Sequence, residues 1–168
     1  MSKNPFGIIL LSWLGMSGID FLLHGGLLAW LYVQESPFLL SPQESFKLIP
    51  LGYLAFLLLA VLLYWLMRLA GVAGARAGLE FGLKLGGLVC GALLLGLISI
   101  STISLPIAAG WFVGQTAELG LGGAIIGRVA ETGLTRGLTL RVIAGVVICL
   151  ILTIVLQSAG FAPVIKIN

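Results

Sequence analysis

Charge is scarce in this sequence: charged residues make up 9% of 168, against 60% hydrophobic ones, and the mean hydropathy is +1.18. Water-soluble domains carry about a quarter charged residues, so a soluble globular domain is excluded. Cysteine is nearly absent. Cys90 and Cys149 lie inside apolar runs with no CxxC spacing and read as free, buried thiols. Histidine occurs once, at His24. One histidine and two distant cysteines do not make a zinc ligand set, so no metal site is expected. The basic residues form no dense patch interleaved with aromatics, which argues against nucleic acid as a partner. No Ser-His-Asp set with a nucleophile elbow is present, so no catalytic residue is assigned.

What the chain has instead is long apolar runs. An α-helix needs about 20 residues to cross a bilayer core, and several runs reach that length. The expected fold is an all-α integral membrane protein, a compact bundle of five transmembrane helices in one domain, residues 1–168. The spans are expected near 6–33, 50–69, 79–105, 107–126 and 142–159. The tight join at Pro106 leaves an alternative of four spans plus a re-entrant piece. The first run is too long for a cleaved signal peptide and contains Asp20, so it reads as an uncleaved helix. With the N-terminus inside, Lys3, Arg68, Arg76, Lys84, Arg128, Arg136 and Arg141 fall on the cytoplasmic side, and only Lys47 and Lys166 outside. The positive-inside rule therefore gives N-in, C-out. Trp30, Tyr32, Tyr64, Trp65 and Trp111 read as interfacial aromatics at span ends. In the outer loop, "SPQE" at Ser41–Glu44 reads as the capping box of a short helix lying on the membrane surface.

Glycine is abundant and spaced. "GLEFGLKLGG" sets Gly78, Gly82 and Gly86 four apart, followed by Gly87 and Gly91. Gly110 with Gly114, and Gly123 with Gly127, repeat the interval. Residues four apart share a helix face, and glycine lets another backbone come close. Spans three and four are expected to pack tightly through these positions, against each other or against a partner subunit.

Within so apolar a chain, ionisable groups are costly and mark candidate sites. Ser17, Asp20 and His24 share one face of the first span; Gln115 and Glu118 share a face of the fourth. At about 1.5 Å of rise per residue, Asp20 stands roughly 19 Å from the outer end, His24 roughly 13 Å and Glu118 roughly 16 Å. If the two spans are neighbours, an Asp–His–Glu cluster forms near mid-membrane, with Ser99, Ser101, Thr102 and Ser104 adding polarity on the outer side. Glu80 and Lys84 form a separate i,i+4 pair near the cytoplasmic end. The cluster reads either as a static lock between helices or as a proton or ion relay. A third reading makes His24, beside Gly25 and Gly26, the single axial ligand of a chlorophyll-type pigment or a haem.

"DFLLHGGLLAWLY", "GLEFGLKLGGLVCG" and the carboxylate in "WFVGQTAELGLGGAIIG" resemble a family of small bacterial inner-membrane proteins over the first four spans. The resemblance implies a bacterial inner-membrane location and brings no catalytic residues with it. Small size, minimal loops and glycine seams lead to the expectation of a non-enzymatic accessory or assembly subunit of a larger membrane complex, with the lipid bilayer and other membrane subunits as its partners. A small proton- or ion-coupled carrier using Asp20, His24 and Glu118 is the alternative, and a pigment- or haem-binding subunit the next.

Overall fold

The computed structural model describes residues 4–34 and 36–163, without the side chains of Pro42 and Gln43. Lys3 and Lys166, two of the charges used to orient the chain, lie outside the described residues. Among the described residues the protein is all-helical: α1 (Pro5–Leu22), α2 (Pro42–Leu69), α3 (Ala75–Ile100), α4 (Leu105–Thr132) and α5 (Arg136–Ser158). Four stretches are long and apolar enough to cross a membrane: Pro5–Leu27, Glu44–Leu69, Ala75–Ile100 and Arg136–Ser158. α4 is as long as α2 but falls outside that group, because Gln115, Glu118 and its many glycines dilute its apolar character. It is also the most enclosed helix, with thirteen buried residues from Ile107 to Val129. α1, α2 and α3 supply its apolar surroundings.

Several boundaries differ from those expected. The first span is not one α-helix: α1 ends at Leu22 and gives way to a π-helical turn, Leu23–Leu27, and a 3-10 turn, Ala29–Tyr32. The "SPQE" segment is not a separate surface helix. Ser41 and Glu44 do form the capping box, but the helix it starts runs on through Pro50 to Leu69. The capping chemistry was visible; the absence of a break after it was not. Pro106 sits in the first turn of α4, where its missing N–H costs nothing, and the helix continues unbroken to Thr132.

α4 lies antiparallel to α3 and to α1, and α5 runs parallel to α1 on its far side. Gly78, Gly82 and Gly86 of α3 face α4: a Cβ at Gly78 would collide with the Gly123 carbonyl, one at Gly82 with the Leu119 carbonyl, and one at Gly86 would stand 2.9 Å from Thr116 Cα. Gly123 meets the Gly78 carbonyl in return, and Gly127 meets Gly74, whose N–H donates to the Gly127 carbonyl at 2.9 Å. Backbones this close gain dispersion contact and weak Cα–H···O interactions that any side chain would abolish. Gly87 and Gly91 do not belong to the seam. Nothing stands within 4 Å of a Cβ at Gly87, and Gly91 makes only an ordinary 3.5 Å contact with Phe112. They follow the seam in sequence but have rotated off its face.

The α1 N-terminus, the α2–α3 turn and the α4–α5 turn share one end of the bundle, since Gly7 abuts Leu134 and Gly74 bonds to Gly127. All five arginines flank this end. Two apolar clusters fill the interior: one around Met16, Leu63, Met67, Ile126 and Val129 toward the arginine end, one around Leu31, Cys90, Leu94 and Ile107 toward the other. Along α1 and α4, the stretch between them carries the polar side chains.

Candidate functional site

Asp20 sits in the last turn of α1, and the helix changes type just beyond it. A π-helical turn bonds each N–H five residues back, as Leu28 N does to the Leu23 carbonyl at 2.7 Å, and such turns collect at functional sites. Irregular backbone deep in an apolar structure survives only if its polar groups are satisfied. Here α5 supplies the partners. Gln157 Nε2 donates to the Gly25 carbonyl at 2.9 Å, and Thr153 Oγ1 lies 3.3 Å from the Phe21 carbonyl and 2.9 Å from its own Cys149 carbonyl. Thr153 is the one buried residue of α5. The fifth helix therefore braces the break in the first.

The break aims His24 at α4. His24 Nε2 stands 3.5 Å from Glu118 Oε1 and 3.9 Å from Asp20 Oδ1. One ligating atom from each of the three residues lies within 4.8 Å of the others. The Glu118 side chain is 1% exposed, whereas His24 and Asp20 keep about a fifth of theirs. Glu118 Oε2 accepts from Gln115 Nε2 at 3.1 Å; Oε1 is buried and has no hydrogen-bond partner among the described residues. Gly114 makes the approach feasible: a Cβ there would stand 2.5 Å from His24 Nε2.

The other ring nitrogen is held from outside. His24 Nδ1 bonds to Tyr32 Oη at 2.5 Å, and that oxygen accepts from Trp111 Nε1 at 2.8 Å. Tyr32 and Trp111 read from the sequence as interfacial aromatics, and their part in the site was missed. The 3-10 turn after the π-helical turn is what folds Tyr32 back over a residue eight positions earlier. Hydropathy carries no signal for such a fold.

Other expected members lie elsewhere. Ser17 is on the same face of α1, but its buried hydroxyl finds no partner among the described residues, and the residue lines a groove between α1 and α2 with Trp13, Tyr53 and Leu57. A neighbouring groove of about 310 Å³ is walled by Asp20, Phe21, Gly25, Gly52, Tyr53 and Phe56, so Asp20 is the open lip of the cluster and Glu118 its closed base. Ser99 and Ser101 spend their hydroxyls on carbonyls of their own helix, at Gly96 and Leu97, and add nothing to the cluster. Glu80 pairs with Arg76 at 3.1 Å rather than with Lys84. Around His24, Thr153 and Leu156 stand beside Gly25 and Gly26, and Nε2 faces two carboxylates.

Comparison with protein-family models, curated proteins and solved structures finds no match to this chain. The chemistry of the site is thus read from its own geometry: one imidazole and two carboxylates, enclosed on one side and reached by a groove on the other. Such a set can hold and release a cation.

Proposed function

We propose that the chain is a small multi-pass membrane protein that carries a cation, a proton or a metal ion, through the Asp20–His24–Glu118 cluster. The observation behind this reading is the convergence of three ionisable side chains from two helices around a carboxylate that is 1% exposed. Burying such groups is expensive, and a static lock between helices is made more cheaply by apolar contact. Two features add support. Carriers build ion sites on interrupted helices, and α1 is interrupted at His24. The cluster is also asymmetric, with Asp20 on an open groove and Glu118 sealed behind it. In this reading all five helices cross, α4 packed against α1, α2 and α3. The arginine-flanked end is cytoplasmic, the N-terminus is inside, and the membrane is the bacterial inner membrane.

Glycine seams, expected to pack against each other or against a partner, were one ground for the accessory-subunit expectation, beside small size, minimal loops and the lack of a catalytic set. Gly78, Gly82 and Gly86 are occupied by α4 of the same chain, so that seam supports closure of this bundle instead.

The test is flux into liposomes holding the purified protein, with a proton-sensitive dye or a zinc-sensitive dye inside and a gradient of the matching ion imposed. The expected result is flux of at least one cation above that of empty liposomes, and a fall to that level in Glu118→Gln. No flux of either cation, or equal flux in wild type and Glu118→Gln, would contradict the proposal.

A further inference from the structure

We infer that Asp20, His24 and Glu118 form a binding site for one divalent first-row transition-metal ion, with zinc as the reference case. Transport of that ion rests on the carrier reading above; binding is carried by the geometry alone.

The spacing suits such an ion. A four-coordinate zinc with bonds of about 2.0–2.2 Å holds its ligand atoms roughly 3.3–3.6 Å apart. His24 Nε2 is already 3.5 Å from Glu118 Oε1 and 3.9 Å from Asp20 Oδ1, and all three ligand atoms fall within 4.8 Å. Closure needs side-chain adjustments of about 1 Å at most. Asp20 and His24 are four apart across the α-to-π junction, and Glu118 reaches them from α4. The ion would tie the interrupted helix to the enclosed one.

A second, independent observation points to a ligand. Glu118 Oε1 is fully buried, lacks a hydrogen-bond partner among the described residues, and faces the imidazole nitrogen across a gap without hydrogen-bond geometry. A buried acceptor left unsatisfied costs about 1–3 kcal/mol, and more when charged, unless something takes its lone pair. The rest of the carboxylate is restrained by Gln115, so Oε1 is presented rather than stranded.

The surroundings follow the pattern of metal-ligating histidines, whose other ring nitrogen is held by an outer acceptor. Tyr32 Oη lies on His24 Nδ1 and is itself fixed by Trp111. With Nδ1–H donating to that oxygen, the Nε2 lone pair is free toward the two carboxylates. Charge agrees as well: two carboxylates, a neutral imidazole and a dication sum to zero, which avoids a net charge in an apolar interior. One nitrogen and two oxygens select borderline ions such as zinc, manganese, iron(II) or cobalt over copper(I), which prefers sulfur, and over magnesium, which prefers oxygen alone. Three protein ligands leave a position for water, as in sites that exchange rather than sites that only hold structure.

The experiment uses the full chain, purified in detergent without a histidine tag and dialysed against zinc chloride, with bound metal counted by elemental analysis and affinity by calorimetry. One zinc per chain is expected in wild type and in a Cys90→Ala/Cys149→Ala control. Asp20→Asn, His24→Gln and Glu118→Gln should each abolish that stoichiometry. Tyr32→Phe keeps all three ligands and should bind about 10–100-fold more weakly, so the inference stays testable even if Glu118→Gln does not fold. Cobalt should give the intense visible absorption of a low-coordinate site, discharged by zinc. Equal binding in His24→Gln and wild type, loss of binding in the cysteine control, or no binding in wild type would each overturn the inference. Zinc binding without flux in liposomes would keep the metal site and overturn the carrier. Proton flux without zinc binding would keep the carrier and overturn the metal site.

Discussion

His24 is positioned from three sides, and each contact comes from a residue with a different reason to be there. Tyr32 fixes Nδ1, the two carboxylates face Nε2, and Gly114 leaves room for the ring. Gly114→Ala would put a methyl group 2.5 Å from Nε2. Because Tyr32 holds the far side of the ring, the imidazole cannot simply retreat. Flux and cation binding should fall in this variant, and overpacking should cost about 1–3 kcal/mol of stability, read from thermal unfolding in detergent. Unchanged flux would show that His24 is not held as described. Asp20, His24 and Glu118 were legible in the sequence because ionisable groups are rare there and their depths along the spans match. Gly114 was legible only as part of a spacing, since the atom it makes room for belongs to another helix.

At the scale of the element, the interruption of α1 depends on α5. Gln157→Leu removes the donor to the Gly25 carbonyl, and Thr153→Val removes the hydroxyl near the Phe21 carbonyl at nearly constant volume. Each should destabilise the protein by about 1–3 kcal/mol, the cost of a buried carbonyl left unpaired. Amide exchange should rise in residues 23–28 before it rises elsewhere. If protection there is unaffected, the brace is not the support of the π-helical turn. The α3–α4 seam gives a sharper contrast. Gly82→Ala drives a methyl group into the Leu119 carbonyl and should lower stability by about 1–3 kcal/mol, whereas Gly87→Ala enters open space and should be neutral or slightly stabilising through helix propensity. Equal effects on thermal unfolding would contradict the seam. The sequence showed the four-residue interval but not where it ends, because Gly87 and Gly91 continue the pattern without the face. It gave no warning of the π-helical turn either: apolar continuity through Leu22, Leu23, Leu27 and Leu28 is the same for any helix type, and the Gly25–Gly26 pair was the only local weakness.

At the scale of the whole molecule, the apolar runs disclosed an all-helical protein with stretches long enough to cross a membrane. They could not disclose that α4, the least apolar of the long helices, is the most buried one, packed against α1, α2 and α3. That arrangement follows from burying Glu118 and the glycine seam away from surrounding lipid, with Gln115 half-buried beside them. It also accounts for the outward faces of α2, α3 and α5, where Leu58, Leu88, Leu95 and Ile154 are more than half exposed. The proposed topology of five crossings puts the α2 start and the α4–α5 turn on opposite sides. In a chain otherwise without cysteine, Ser45→Cys should react with an impermeant thiol reagent added outside intact cells, and Thr135→Cys only after lysis. The reverse pattern, or reaction of both from one side, would contradict the proposed topology.

In the carrier proposed above, Asp20, His24 and Glu118 act as one site. Cation flux in liposomes of Asp20→Asn, His24→Gln, Glu118→Gln and the triple variant tests it most directly, since groups that work as a unit give strongly non-additive losses. Each single substitution should lower flux as far as all three together. Losses that multiply from single to triple, or one single variant that keeps wild-type flux, would show that the three do not form a site.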